Sequence, residues 1–190
     1  MYKLVDFKYK TYLIGAMEVT AEGDSGQAKR SDVEKALLEL GVYPINPCFH
    51  ERCKTGMAAA DTIAKHNKWI EEDRWAEFID SANHIWKGRD YLDAKGMLVH
   101  IPGDFDYVEM SNWITCTYTS KDRPVGTFGE MFQAYKLNIP VYVITDVSKK
   151  KLRHSFLHAT LGSGGEVFAT LSEYINFIRG KYNLNKIDIK

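Results

Sequence analysis

Glu130 closes the run Arg123-Pro124-Val125-Gly126-Thr127-Phe128-Gly129, and its neighbours suit a working carboxylate. The run reads as a loop opening a helix, which puts Glu130 in a first turn where the helix dipole favours the ionised form. Gly126 and Gly129 remove side-chain bulk around it. An ionised carboxylate at the floor of a cleft can stabilise a sugar oxocarbenium ion or trap it covalently. An acid near a helix start is also ordinary surface chemistry. Asp90 is the second carboxyl to weigh: in a closed pocket desolvation favours its neutral form, which could protonate a departing base. It could equally cap a helix expected over 90–95. Tyr12 is either a core residue with a satisfied hydroxyl or the donor that orients Glu130.

These side chains need a frame, and hydrophobic periodicity supplies one. Thr11–Ala16 is a compact apolar run, as a buried strand would be, and Gly15 near its end would let a ligand approach the backbone closely. Val33, Ala36, Leu37 and Leu40 recur at helical spacing, with Ser31 or Asp32 as N-cap and Gly41 as stop. Val42–Pro47 reads as a second strand, Met97–Ile101 as a third, Pro140–Ile144 as a fourth and Glu166–Ala169 as a last. Between them, Ile70–Trp86 and Gly126–Leu137 read as helices, and Leu171–Ile178 as the final one. The two tryptophans of the first, Trp75 and Trp86, are expected in the core. The stretches 47–64 and 102–124 look irregular. Alternating elements of this kind imply a parallel sheet with helices on both faces. In such sheets ligands collect outside the carboxyl ends of the strands, where Tyr12–Met17, Arg89-Asp90 and Arg123–Glu130 are expected to converge.

Four stretches carry a resemblance: TYLIGAM (11–17), GVYPINP (41–47) with the helix before it, RDYLDAKGMLVHIPG (89–103) and GTFGEMFQAYKLNIPVYVI (126–144). In order and spacing they resemble the nucleoside 2-deoxyribosyltransferase family and the related deoxynucleoside 5'-monophosphate N-glycosidases. The resemblance implies a flavodoxin-like (Rossmann-like) sheet of about five strands in one domain over 1–190. It makes Glu130 the nucleophile on the anomeric carbon, Asp90 the acid beside the base and Tyr12 the residue that positions Glu130. Gly15, Ala16, Met17, Arg123, Gly126 and Thr127 become the substrate-binding candidates. Pro124 stands where the family commonly carries an Asp or Ser, so contact with the 5' end of the sugar passes to Thr127 or Arg123. Exchange of one base for another makes a transferase; resolution by water, on a nucleoside or its 5'-monophosphate, makes a hydrolase. The chemistry needs no cofactor, and the family's habit implies a homo-oligomer. A module that senses nucleotides without turnover is the non-enzymatic alternative. The phosphoribohydrolase loop PGGxGTxxE is a weaker match, because Arg123-Pro124-Val125-Gly126 lacks its paired glycines.

The whole composition agrees with a globular protein acting on a small molecule. The chain has 190 residues, 45% hydrophobic and 26% charged, with 25 basic and 25 acidic side chains. Zero net charge gives no electrostatic case for nucleic acid or an anionic membrane as partner. No apolar run approaches the roughly 18–20 residues of a membrane span, and three cysteines fit a reducing, cytoplasmic setting. Cys48-Phe49-His50-Glu51-Arg52-Cys53 lacks the second ligand pair of a zinc site, so no metal is expected. The basic run Lys149–His154 reads as a solvated face.

Overall fold

The computed structural model describes residues 7–15, 25–47, 59–120 and 125–185. In chain order the elements are β1 (Tyr9–Gly15), α1 (Ser25–Leu38), β2 (Val42–Ile45), α2 (Ala59–Glu71), α3 (Trp75–Lys87), β3 (Arg89–Leu92), β4 (Leu98–Ile101) and α4 (Asp104–Glu109). They continue with β5 (Trp113–Tyr118), α5 (Val125–Lys136), β6 (Val141–Thr145), a 3-10 turn at Lys149–Lys151, α6 (His154–Gly162), β7 (Glu166–Phe168) and α7 (Leu171–Tyr182). Two compact units result: Met1–Asn46 with Val108–Lys190, and Pro47–Tyr107.

The first unit is a five-stranded sheet in the order β2-β1-β5-β6-β7, every pair parallel. With the two strands of the second unit set aside, this is the flavodoxin-like order 2-1-3-4-5. Each strand is short and apolar because helices cover both faces. Leu13, Trp113 and Tyr142 look toward α1 and α7, where they meet Val33, Leu37, Tyr174 and Ile178 in one core. The opposite face carries α5 and α6, joined through Phe128 and Phe156, with Tyr118 of β5 against Phe156. Pro44 is tolerated in β2 because β2 is an edge strand with one row of unpaired backbone groups.

The core is not wholly apolar. The Trp113 indole donates to the Tyr174 hydroxyl at 3.0 Å, Tyr174 lies 2.6 Å from the Thr115 hydroxyl, and Thr115 lies 2.8 Å from that of Thr11. The hydroxyls of Tyr174, Thr115 and Thr11 form one continuous chain in which each can donate or accept. Complete burial pushes the Tyr174 hydroxyl far above its ordinary pKa, so it remains a donor. A satisfied chain of this kind ties β1, β5 and α7 together without leaving a buried polar atom exposed to the cost of desolvation.

Four expectations are corrected here. Met97–Ile101 does form a strand, but β4 pairs antiparallel with β3 in a separate two-stranded sheet. Its alternating exposure suits a hairpin rather than a strand buried on both sides. The strand that takes its place in the main sheet is β5, inside the stretch read as irregular. The helix expected over 90–95 is instead β3 and the hairpin turn. The Ile70–Trp86 helix is two helices, interrupted at 72–74 where Asp73 has a φ of 55°, and Trp75 is exposed rather than in the core. Finally, α1 begins at Ser25, so Ser31 and Asp32 lie inside the helix and cap nothing; Gly41, with a φ of 70°, does close the turn after it.

Candidate active site

The sheet turns Tyr12 toward α5, and there its hydroxyl donates to Glu130 Oε1 at 2.9 Å, with both residues buried. Two of the predicted residues, 118 positions apart, therefore meet directly. Because α5 starts at Val125, Glu130 occupies its second turn, not the first as expected. The dipole of the helix end falls off within the first turn, and the fold brings the tyrosine hydroxyl to this carboxylate as a donor. It fixes the orientation of one carboxylate oxygen, as an attacking oxygen requires.

Thr127 is buried in the first turn of α5, and its hydroxyl has no hydrogen bond among the described residues. Gly126 beside it is exposed. Gly15 ends β1 opposite Thr117 of β5. A Cβ on Gly15 would lie 2.6 Å from the Thr117 carbonyl oxygen and 2.8 Å from its hydroxyl, at a φ of +153°. Glycine is thus required there by the chain's own packing. Ala16, Met17 and Arg123 lie outside the described residues, as does the Cys48–Cys53 stretch.

Asp90 belongs to the second unit. It sits on β3 opposite His100 of β4, and His100 Nδ1 lies 2.7 Å from its Oδ1. On its other side the imidazole reaches Asp106 Oδ2 at 3.0 Å, an oxygen that also accepts from the Gly103 backbone at 2.8 Å. Two carboxylates, Asp106 first and then Asp90, hold the His100 pKa above its ordinary value. Imidazolium with both N–H groups engaged is the form that satisfies this arrangement. The Asp90 side chain is 60% exposed, so its own surroundings are an ion pair in water rather than a dry wall.

Arg30 is the residue that periodicity overlooked. An N-cap at Ser31 or Asp32 would leave it outside the helix; it lies in the second turn of α1, buried, and its Nη2 donates to the Gly15 carbonyl at 2.7 Å. The one signal available was an arginine three positions before Val33 on the stripe that faces the sheet. On the same face a cleft of about 250 Å³ opens over the carboxyl ends of β5 and β6, with Asp32, Thr117, Thr145, Asp146 and Thr170 among its walls. Among the described residues no group of three or more His, Cys, Asp or Glu side chains could hold a metal ion, and no helix is long and apolar enough to cross a membrane.

No family model matches the chain, and no curated protein does. Among solved structures, the chain is similar to a 2-deoxyribosyltransferase from the psychrotolerant bacterium Bacillus psychrosaccharolyticus. The TM-score is 0.53 at 12% identity, over 94% of this chain and 98% of that one. At that identity the likeness is one of fold, and the resemblance carried by the four motifs thereby extends to the architecture of nearly the whole chain.

Proposed function

We infer that this protein breaks or exchanges the N-glycosidic bond of a 2'-deoxynucleoside, with Glu130 as nucleophile. The observation that carries the reading is the buried Tyr12–Glu130 bond, in a chain that shares its fold with a 2-deoxyribosyltransferase. A binding module needs no carboxylate held in this way; a nucleophile does. In the reaction, the free electron pair of a Glu130 oxygen forms a bond to the anomeric carbon. The bond from that carbon to the base nitrogen breaks, its electrons leave with the base, and the base takes up a proton. A second base, or water, then attacks the same carbon, releases the carboxylate and returns its proton to the group that protonated the first base. Asp90 is the proposed source of the proton, acting with the His100 imidazolium it pairs with, and Asp90→Asn should then slow base release. Thr127, whose hydroxyl has no hydrogen bond among the described residues, is the proposed contact for the sugar's 5' end.

Chromatography of deoxynucleosides and their 5'-monophosphates, each with and without a second free base, tests this directly. A new nucleoside formed only when the acceptor base is present is the expected result, and Glu130→Ala abolishes it. Free base released from monophosphates alone would make the protein a nucleotide hydrolase on the same nucleophile. Turnover that survives Glu130→Ala would end the assignment of Glu130.

A further inference from the structure

Arg30 runs against the preferences of its own position. It shares a helix face with Val33 and Leu37, three and seven residues on, both core residues facing the sheet. It is 2% exposed. Arginine is almost never buried this deeply unless it is partnered, because removing its charge from water costs several kcal/mol. A leucine would fill the position at no such cost. Where a chain keeps a residue against local preference, the requirement often comes from function rather than from folding.

The geometry says which requirement. β1 runs to the carboxyl edge of the sheet at Gly15, and α1 starts back from that edge, so its early turns stand beside the strand's last residue. Arg30 Nη2 holds the Gly15 carbonyl at 2.7 Å. A Cβ built on Gly15 would lie 3.5 Å from that same nitrogen and 2.6 Å from the Thr117 carbonyl oxygen. The end of β1 is therefore held from α1 by a charged donor and packed against β5 with no room to spare. This is the place where the strand order reverses direction, between β1 and β5, and where sheets of this order open their ligand crevice.

We propose that Arg30 is a positioning residue for the proposed glycosyl chemistry: its guanidinium fixes the Gly15 carbonyl, and with it the strand end that meets the substrate, at the crevice between β1 and β5. The proposal rests on the reading of Glu130 given above. Tyr12 and Glu130 are held by their own bond three residues earlier on the strand, so loss of Arg30 is felt in substrate binding before it is felt in the nucleophile. Lysine can reach a single acceptor as a point charge but lacks the planar fork, so it restores only part of the effect.

Steady-state base release by the full chain is measured for Arg30→Gln, Arg30→Lys and Gly15→Ala, each scaled to its folded fraction by circular dichroism. Arg30→Gln should raise KM by about tenfold or more with kcat held within about threefold. Gly15→Ala, which pushes a methyl group into Thr117, should give the same signature from the other side of the contact, and Arg30→Lys should recover part of KM. If both variants melt earlier but keep the KM of the unaltered chain, while Glu130→Ala is inactive, Arg30 is a fold residue only; the proposal falls and the Glu130 reading stands. If Glu130→Ala remains active, both fall together.

Discussion

The bond from Tyr12 to Glu130 is buried at both ends, so its removal cannot be made good by bulk water. A hydrogen bond to a charged group contributes about 1.5–3 kcal/mol. If that energy is used to aim the attacking oxygen, Tyr12→Phe should lower kcat by about 10–100-fold, at roughly 1.4 kcal/mol per decade, with little change in KM. Steady-state base release settles it, and a kcat equal to that of the unaltered chain would leave Tyr12 as a core residue. The residue types of this pair were legible in the sequence, and the motif resemblance set Tyr12 on Glu130, but spacing alone gave no sign of their meeting. Glu130 announced itself through the glycines around it; its partner lies 118 residues away, and only pairing of β1 with β5 brings the two elements together. The expectation that a helix end supplies the charge environment of Glu130 failed for a related reason. With α5 starting at Val125, one residue before the expected Gly126, Glu130 is its sixth residue and lies past the N–H groups of the first turn.

Elements were legible where their burial is uniform. β1, β6, β7, α5 and α7 lie close to where apolar runs and helical spacing put them. β5 escaped although Trp113, Ile114, Thr115, Thr117 and Tyr118 are strong strand formers. The polar residues on either side, Asn112 and Ser120, gave the whole stretch the look of a loop, and β4 offered a plausible substitute. Side-chain types alone do not say whether a short apolar run is central or belongs to a hairpin; exposure does. The hairpin has a chemistry of its own that yields a pH dependence. His100 is held between Asp90 of β3 and Asp106 of α4, and these carboxylates raise its pKa above the unfolded value, near 6.5. A raised pKa in the folded state means protons are bound more tightly there. The contribution is therefore complete below pH of about 6.5 and is lost as pH rises through the higher folded value. Amide exchange of β3 and β4, normalised to the intrinsic rate at each pH, should show protection weakening over that window, and His100→Gln should abolish the pH dependence while leaving that of the main sheet alone. Protection that is flat across the window would assign the hairpin's stability to its backbone pairing instead.

Taken as a whole molecule, the chain divides its tasks between a unit with a conventional core and one whose described residues hold little core of their own. In the second unit the two-stranded sheet is the element least able to stand by itself, since an isolated hairpin is marginal in water. Leu92 and Leu98 are direct partners across β3 and β4, so both project from one face of the hairpin, and they are 67% and 71% exposed. Trp75 and Ile79, one turn apart on α3, are also exposed. Single exposed apolar residues are ordinary, but a paired set on a small sheet is the kind of surface that association covers. Neutral net charge removes the long-range repulsion that would keep copies apart. The motif resemblance implied assembly of like chains, and this is the face on which it can be tested. Light scattering coupled to size-exclusion chromatography should give a mass of at least two chains at micromolar concentration. Leu98→Glu, which places a carboxylate where burial would leave it unpaired, should reduce that mass toward one chain while circular dichroism stays unchanged. A monomer in the unaltered protein would refute the oligomer outright. An oligomer indifferent to Leu98→Glu would move its interface off the hairpin, and α3 would be next to test, with Ile79→Glu.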